Sequence, residues 1–175
     1  MVPLLEMVPT PGYTPMVGAL VAMLDATRAS TLDAVAGLEV AALDYQHDPS
    51  ANPIGSLLAH TAAIEWCYAA TTLGASPPSP EEWAEWQPFL RLGPDAWAAA
   101  RGRSLDAHLE RLRIVRARTL DGLRAVDDTR LTESVTLPWL RRPATHLWVW
   151  YHVMEDELNH RGQIRWLRSR PPVAK

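Results

Sequence analysis

THLWVWYHVMEDELNHRGQIRWLR (Thr145–Arg168) is the stretch on which the reading turns. It contains no proline, follows the breaks at Pro138 and Pro143, and repeats its apolar residues at three- and four-residue steps. It therefore predicts one helix over about 145–168. At about 100° per residue, with Asp156 as origin, His152 lies near −40°, His160 near +40° and Gln163 near −20°. These four residues form one narrow polar stripe, flanked by Val149 and Leu167. Glu155 and Glu157 fall about 100° to either side and are expected to point elsewhere. A second apolar strip (Leu147, Tyr151, Met154, Leu158) predicts that the helix is contacted on two sides. That favours an inward-facing stripe, although a dimer contact suits the same pattern.

Three further helices are legible. The first runs from Pro15 into the low forties, with Thr14 at the N-cap and proline at the first helical position. Gly37 is the place where it would end or weaken. The second runs from Pro53 to about Leu73 and the third from Ser104 to about Val126. The arginines of the third helix (111, 113, 116, 118 and 124) alternate with Asp106, Glu110 and Asp121, the pattern of a solvated face. Residues 75–103 are irregular, since Ser-Pro-Pro-Ser-Pro at 76–80 forbids a continuous helix. Their Trp83, Trp86, Phe89, Leu90 and Trp97 predict a connection packed over one end of the domain through short helices. With no persistent period-two pattern, the expectation is an all-α four-helix bundle, one domain over 1–175, with a long irregular connection between the second and third helices.

Composition narrows the function classes. The 175 residues are 47% hydrophobic and 21% charged, which is globular rather than disordered. A net charge of −3 provides no positive field for nucleic acid or an anionic membrane. The longest apolar run, Met16–Leu24, is far short of the ~20 residues a bilayer span needs. No basic n-region precedes it, because the first basic residue is Arg28. The expectation is a cytoplasmic protein without nucleic-acid or membrane partners. The single cysteine excludes an internal disulfide and a Cys-rich zinc site. Cys67 reads as a small buried hydrophobe rather than a nucleophile.

The second helix carries a partner for the polar stripe. His60 lies beside the apolar face defined by Leu57 and Ile64. A lone histidine there is usually a core residue bonded to a carbonyl, but facing His160 and Asp156 it becomes a third ligand. Two imidazoles and a carboxylate from facing helices suit Zn²⁺, Ni²⁺, Fe²⁺ or Mn²⁺ with positions left open. The residues alone leave two readings standing, a metal site and a solvated or dimer-contact stripe.

Asn52-Pro-Ile-Gly-Ser-Leu-Leu-Ala-His60 and His152-x3-Asp156-x3-His160-Arg-Gly-Gln163-Ile together resemble the DinB-like (DinB/YfiT) superfamily of four-helix-bundle metalloproteins. The resemblance covers nearly the whole chain and implies metal ligands at His60, Asp156 and His160. It also implies a homodimer. Asp156 stands where the family carries His or Glu, and its shorter side chain is expected to fall about one C–C bond short of the ion. His152 and Gln163 are then substitute ligands or outer-shell partners, and Gln163 is also placed to hydrogen-bond a ligand's outer atoms. Characterised relatives imply an S-transferase that uses a bacillithiol- or mycothiol-type cosubstrate and a small electrophile, with the metal lowering the pKa of the thiol. The competing readings are a non-catalytic metal- or small-ligand-binding bundle and a dimeric scaffold with a degenerate site. No catalytic residue is assigned beyond the metal ligands.

Overall fold

Helix boundaries follow local chemistry. In a computed structural model, which describes residues 6–74 and 77–170, the chain forms α1 (Pro15–Val35), α2 (Val40–Leu43), α3 (Ile54–Thr72) and α4 (Pro80–Trp86). A 3-10 turn (Gln87–Phe89) leads to α5 (Pro94–Ala100), α6 (Leu105–Arg124) and α7 (Asp128–Thr132). A two-stranded hairpin, β1 (Ser134–Val135) with β2 (Ala144–Thr145), precedes α8 (His146–Arg168). The fold is all-α. Its long helices α1, α3, α6 and α8 form the bundle, with close seams at α3–α6, α1–α8 and α3–α8 and a thin one at α1–α6.

Several details differ from expectation. The first helix stops at Val35 because Gly37 takes φ +72°, and α2 is a separate short turn. Thr14 occupies the N-cap without capping through its own side chain. Its hydroxyl donates to Asp128 Oδ1, which also accepts from the amides of Met16 and Val17. A carboxylate from α7 thus satisfies the start of α1, where a negative group is favoured. Ser104 and Thr145 do cap their own helices. The small hairpin was not expected, since two-residue strands carry no periodicity.

Expected positions 75 and 76, like the first and last five residues of the 1–175 span, lie outside the described residues. The remainder of the connection packs as short helices. Ser79 and Glu82 form a capping box on α4, and Trp86 stacks on Trp66 of α3 at 5.6 Å. Trp83 meets the same indole edge-on at 5.1 Å. The Arg111 guanidinium lies 4.2 Å over the Trp86 ring, so this arginine is not on a solvated face.

The core has two apolar clusters separated by a polar layer. One gathers Leu57, Leu58, Trp66, Phe89, Leu112 and Ile164. The other gathers Val17, Leu20, Leu24, Tyr68, Val149 and Trp150. Between them, all four long helices contribute a charge: Arg28, Glu65, Arg116 and Glu157, each 7% exposed or less. Arg28 donates to Glu157 Oε1 at 2.8 Å, Glu65 Oε2 at 2.7 Å and the Leu112 carbonyl at 3.0 Å. Arg116 donates to Glu65 Oε1 at 2.7 Å and Asp25 Oδ1 at 3.0 Å. This corrects one expectation, since Arg116 is buried rather than solvated, whereas Glu157 points away from the polar stripe as expected, into the centre of the bundle. The arrangement is locally closed. Burial pushes the Glu65 carboxyl up, but Arg116 and then Arg28 outweigh it and hold it below its ordinary value.

Candidate metal centre

The polar layer fixes how α8 is rotated. Glu157 is tied to Arg28 at the centre, so its neighbour Asp156, about 100° around the helix, faces the α3–α8 seam. There His60, Asp156 and His160 converge, each offering a donor atom within 4.8 Å of the others. His60 Nε2 stands 3.7 Å from Asp156 Oδ2, and His160 Nε2 stands 3.3 Å from Oδ1. The Asp156 oxygens thus approach both imidazole rings. The seam is tight enough for the shorter side chain to span it.

The second nitrogen of each imidazole is also placed. His60 Nδ1–H donates to the Phe89 carbonyl at 2.7 Å. A carbonyl only accepts, so the proton sits on Nδ1 and the Nε2 lone pair is directed at the site. His160 Nδ1 is 3.2 Å from Gln163 Oε1, and a proton on Nδ1 likewise leaves Nε2 free. Histidines that hold metal ions are commonly oriented by such outer partners. The Trp-rich connection has a definite part here, because its 3-10 turn supplies the Phe89 carbonyl.

Two observations test whether an ion suits this site. Asp156 Oδ2 is buried and has no hydrogen-bond partner, a costly state for a carboxylate oxygen. The nitrogen–oxygen separations, 3.3 Å to Oδ1 and 3.7 Å to Oδ2, are each within about 0.3 Å of the roughly 3.4 Å between two donors on a tetrahedral ion bound at about 2.1 Å. The residues fit a divalent cation. Burial would raise the Asp156 carboxyl, but His160 and then His60, when their Nε2 atoms carry the protons that a cation would displace, overcome it and hold the carboxyl well below the usual carboxylate range. It is therefore ionised at neutral pH, as a ligand must be. For His160, burial lowers the pKa, yet Asp156 makes the net shift upward, so a cation competes there with a proton.

His152 does not join the three. It is half-exposed, lies parallel to Trp148 at 5.2 Å and approaches Glu155 Oε2 at 3.4 Å. Its ring meets Tyr68 edge-on at 5.8 Å, and Tyr68 meets Trp139 similarly at 5.9 Å. These aromatics wall one side of the seam. Cys67 is buried in the core with its thiol pushed up to about 11 by desolvation, which removes it as a nucleophile. Of the second apolar strip on α8, Leu147 and Tyr151 are exposed. The two sides that are covered face α1 and α3 instead. Among the described residues, no helix is long and apolar enough to cross a membrane.

Sequence reasoning missed the Phe89 carbonyl, since a main-chain acceptor leaves no mark in residue type. It also missed the buried charges. Their signal was present in Glu65, an acid set within the apolar run Ala-Ala-Ile-Glu-Trp-Cys of α3.

A family model described as mycothiol-S-transferase matches residues 19–171. None of the curated proteins matches the chain. Among solved structures, one described as the conserved protein of a locus from Enterococcus faecalis superposes with a TM-score of 0.67 at 17% identity. It covers 85% of this chain and 92% of that one, a likeness of fold.

Proposed function

The chain belongs to the mycothiol-S-transferase family, and from that premise we propose that it joins mycothiol through its sulfur to a small electrophile at a divalent ion held by His60, Asp156 and His160. The observation that carries this reading is the convergence of three donors around an oxygen that no protein group satisfies. The ion, when bound, supplies Lewis acidity that makes the thiolate available near neutral pH.

The chain's own residues do the rest. Phe89 and Gln163 fix the two imidazoles so that both Nε2 atoms face the seam. Asp156 contributes a negative charge that offsets part of the ion's charge. Tyr68, His152 and Trp148 form an aromatic wall against which an apolar electrophile packs. The thiol proton passes to water, the sulfur lone pair forms the new S–C bond, and the leaving group departs with the electron pair of the bond that breaks. Cys67 takes no part.

The test is consumption of mycothiol with monochlorobimane as electrophile, by wild type and by His160→Ala, each incubated with Zn²⁺, Ni²⁺, Fe²⁺ or Mn²⁺. The reading requires a metal-dependent rate that falls at least a hundredfold in the variant. Equal rates for both proteins would refute it for that electrophile. Metal binding without thiol consumption would favour the non-catalytic bundle.

A further inference from the structure

Gly162 stands in the body of α8, where glycine weakens a helix relative to alanine. Packing does not require it, since a Cβ built there would meet no atom within 4 Å. It instead lines a groove of about 530 Å³ together with Asn52, Asn159, Gln163 and Trp166. No charged side chain lines this groove. The glycine leaves open the space that a side chain would fill.

The amides around it are oriented. An indole N–H only donates, so Trp97 fixes Asn52 by donating to Oδ1 at 2.7 Å, and the Asn52 NH₂ group is left with its donors free. Gln163 is arranged the same way. With Oε1 accepting from His160 Nδ1–H, its NH₂ group is available to a ligand. Asn159 is exposed one turn away. The ring of Trp166 is held by Arg170 at 4.0 Å and by the edge of His47 at 4.7 Å, and it forms an aromatic wall. Neutral amide donors beside an aromatic surface match hydroxyl groups on a carbon ring. They do not match a phosphate or carboxylate, which would call for arginine or lysine.

Gln163 touches both this groove and a residue of the metal centre. We propose that the Asn52–Asn159–Gln163 groove over Gly162 binds the neutral, hydroxyl-rich ring portion of the thiol cosubstrate, while the sulfur is presented to His60, Asp156 and His160. This inference rests on the thiol-transfer reading and gives Asn52 and Gln163 positioning roles. Contact with the helix backbone at Gly162 brings the ring portion close to α8, which any side chain there would prevent.

The experiment is an NMR titration of the metal-loaded full chain with thiol-free N-acetylglucosaminyl-inositol, whose acylated amine keeps the probe neutral. The expected result is a shift of the Gly162 amide and the Trp166 indole N–H. Gly162→Leu weakens that binding tenfold or more while its melting temperature stays level or rises, and Asn159→Ala weakens it about three- to tenfold. No shift at these two groups up to the millimolar range, or wild-type affinity in both variants, would overturn the proposal. Thiol turnover measured alongside keeps the two readings apart. Groove binding without turnover removes the thiol-transfer reading and leaves a ring-binding groove, whereas turnover without groove binding removes only the groove.

Discussion

Two buried polar clusters sit side by side on α3 and α8, and they are built oppositely. In the first, Arg28, Glu65, Arg116 and Glu157 satisfy one another across four helices. In the second, His60, Asp156 and His160 turn their donor atoms toward a common point and leave Asp156 Oδ2 without a partner. The closed cluster is the more deeply buried, with side chains 8% exposed or less, whereas the Asp156 side chain of the open one is 19% exposed. A cluster that balances its own charge holds helices in register, whereas one that leaves lone pairs converging is completed from outside. The first cluster also serves the second, because the grip on Glu157 aims Asp156.

The largest effect should come from breaking the closed cluster. Glu65→Ala leaves two buried guanidinium groups short of a partner and is expected to cost about 3–5 kcal/mol in urea unfolding. A loss below 1 kcal/mol would mean that the cluster does not hold the bundle.

His108 sharpens the comparison as a third case, a buried imidazole with neither nitrogen bonded. Desolvation, helped by Arg103 and Arg111, lowers its pKa from 6.5 to about 4. The unfolded chain therefore takes up the proton first on acidification. Stability from the neutral ring is complete above pH 6.5 and is lost as the pH falls toward 4, by about 3 kcal/mol. His108→Leu should flatten that part of the pH–stability curve, and an unchanged slope would contradict the assignment.

The open cluster should respond to ligand rather than to removal of a side chain. Wild type should gain about 2.7 kcal/mol from a divalent ion at a hundred times its dissociation constant, and Asp156→Ala should gain almost nothing. The smallest effect is expected at Gln163→Leu, where loss of the His160 partner weakens metal affinity about 10- to 100-fold, as calorimetry would show.

The legible parts of this molecule were those written in periodicity and caps. Helix starts at Pro15, Ser104 and Thr145 follow from residue type, and the alignment of His152, Asp156 and His160 follows from spacing. Helical arithmetic places residues on a face but does not say which neighbour covers that face. It therefore turned Glu157 away from the site without locating its partners, and it left Arg116 in solvent. Whether Asp156 or His152 stands beside His60 and His160 likewise depends on the α3–α8 seam, a tertiary fact.

The most direct test is the metal content of tag-free protein by mass spectrometry, with a His60→Ala/His160→Ala double variant prepared identically. The account predicts one divalent ion per chain in wild type, or after reconstitution, and none in the variant. Metal-free wild type after reconstitution, or equal metal in both proteins, would contradict it.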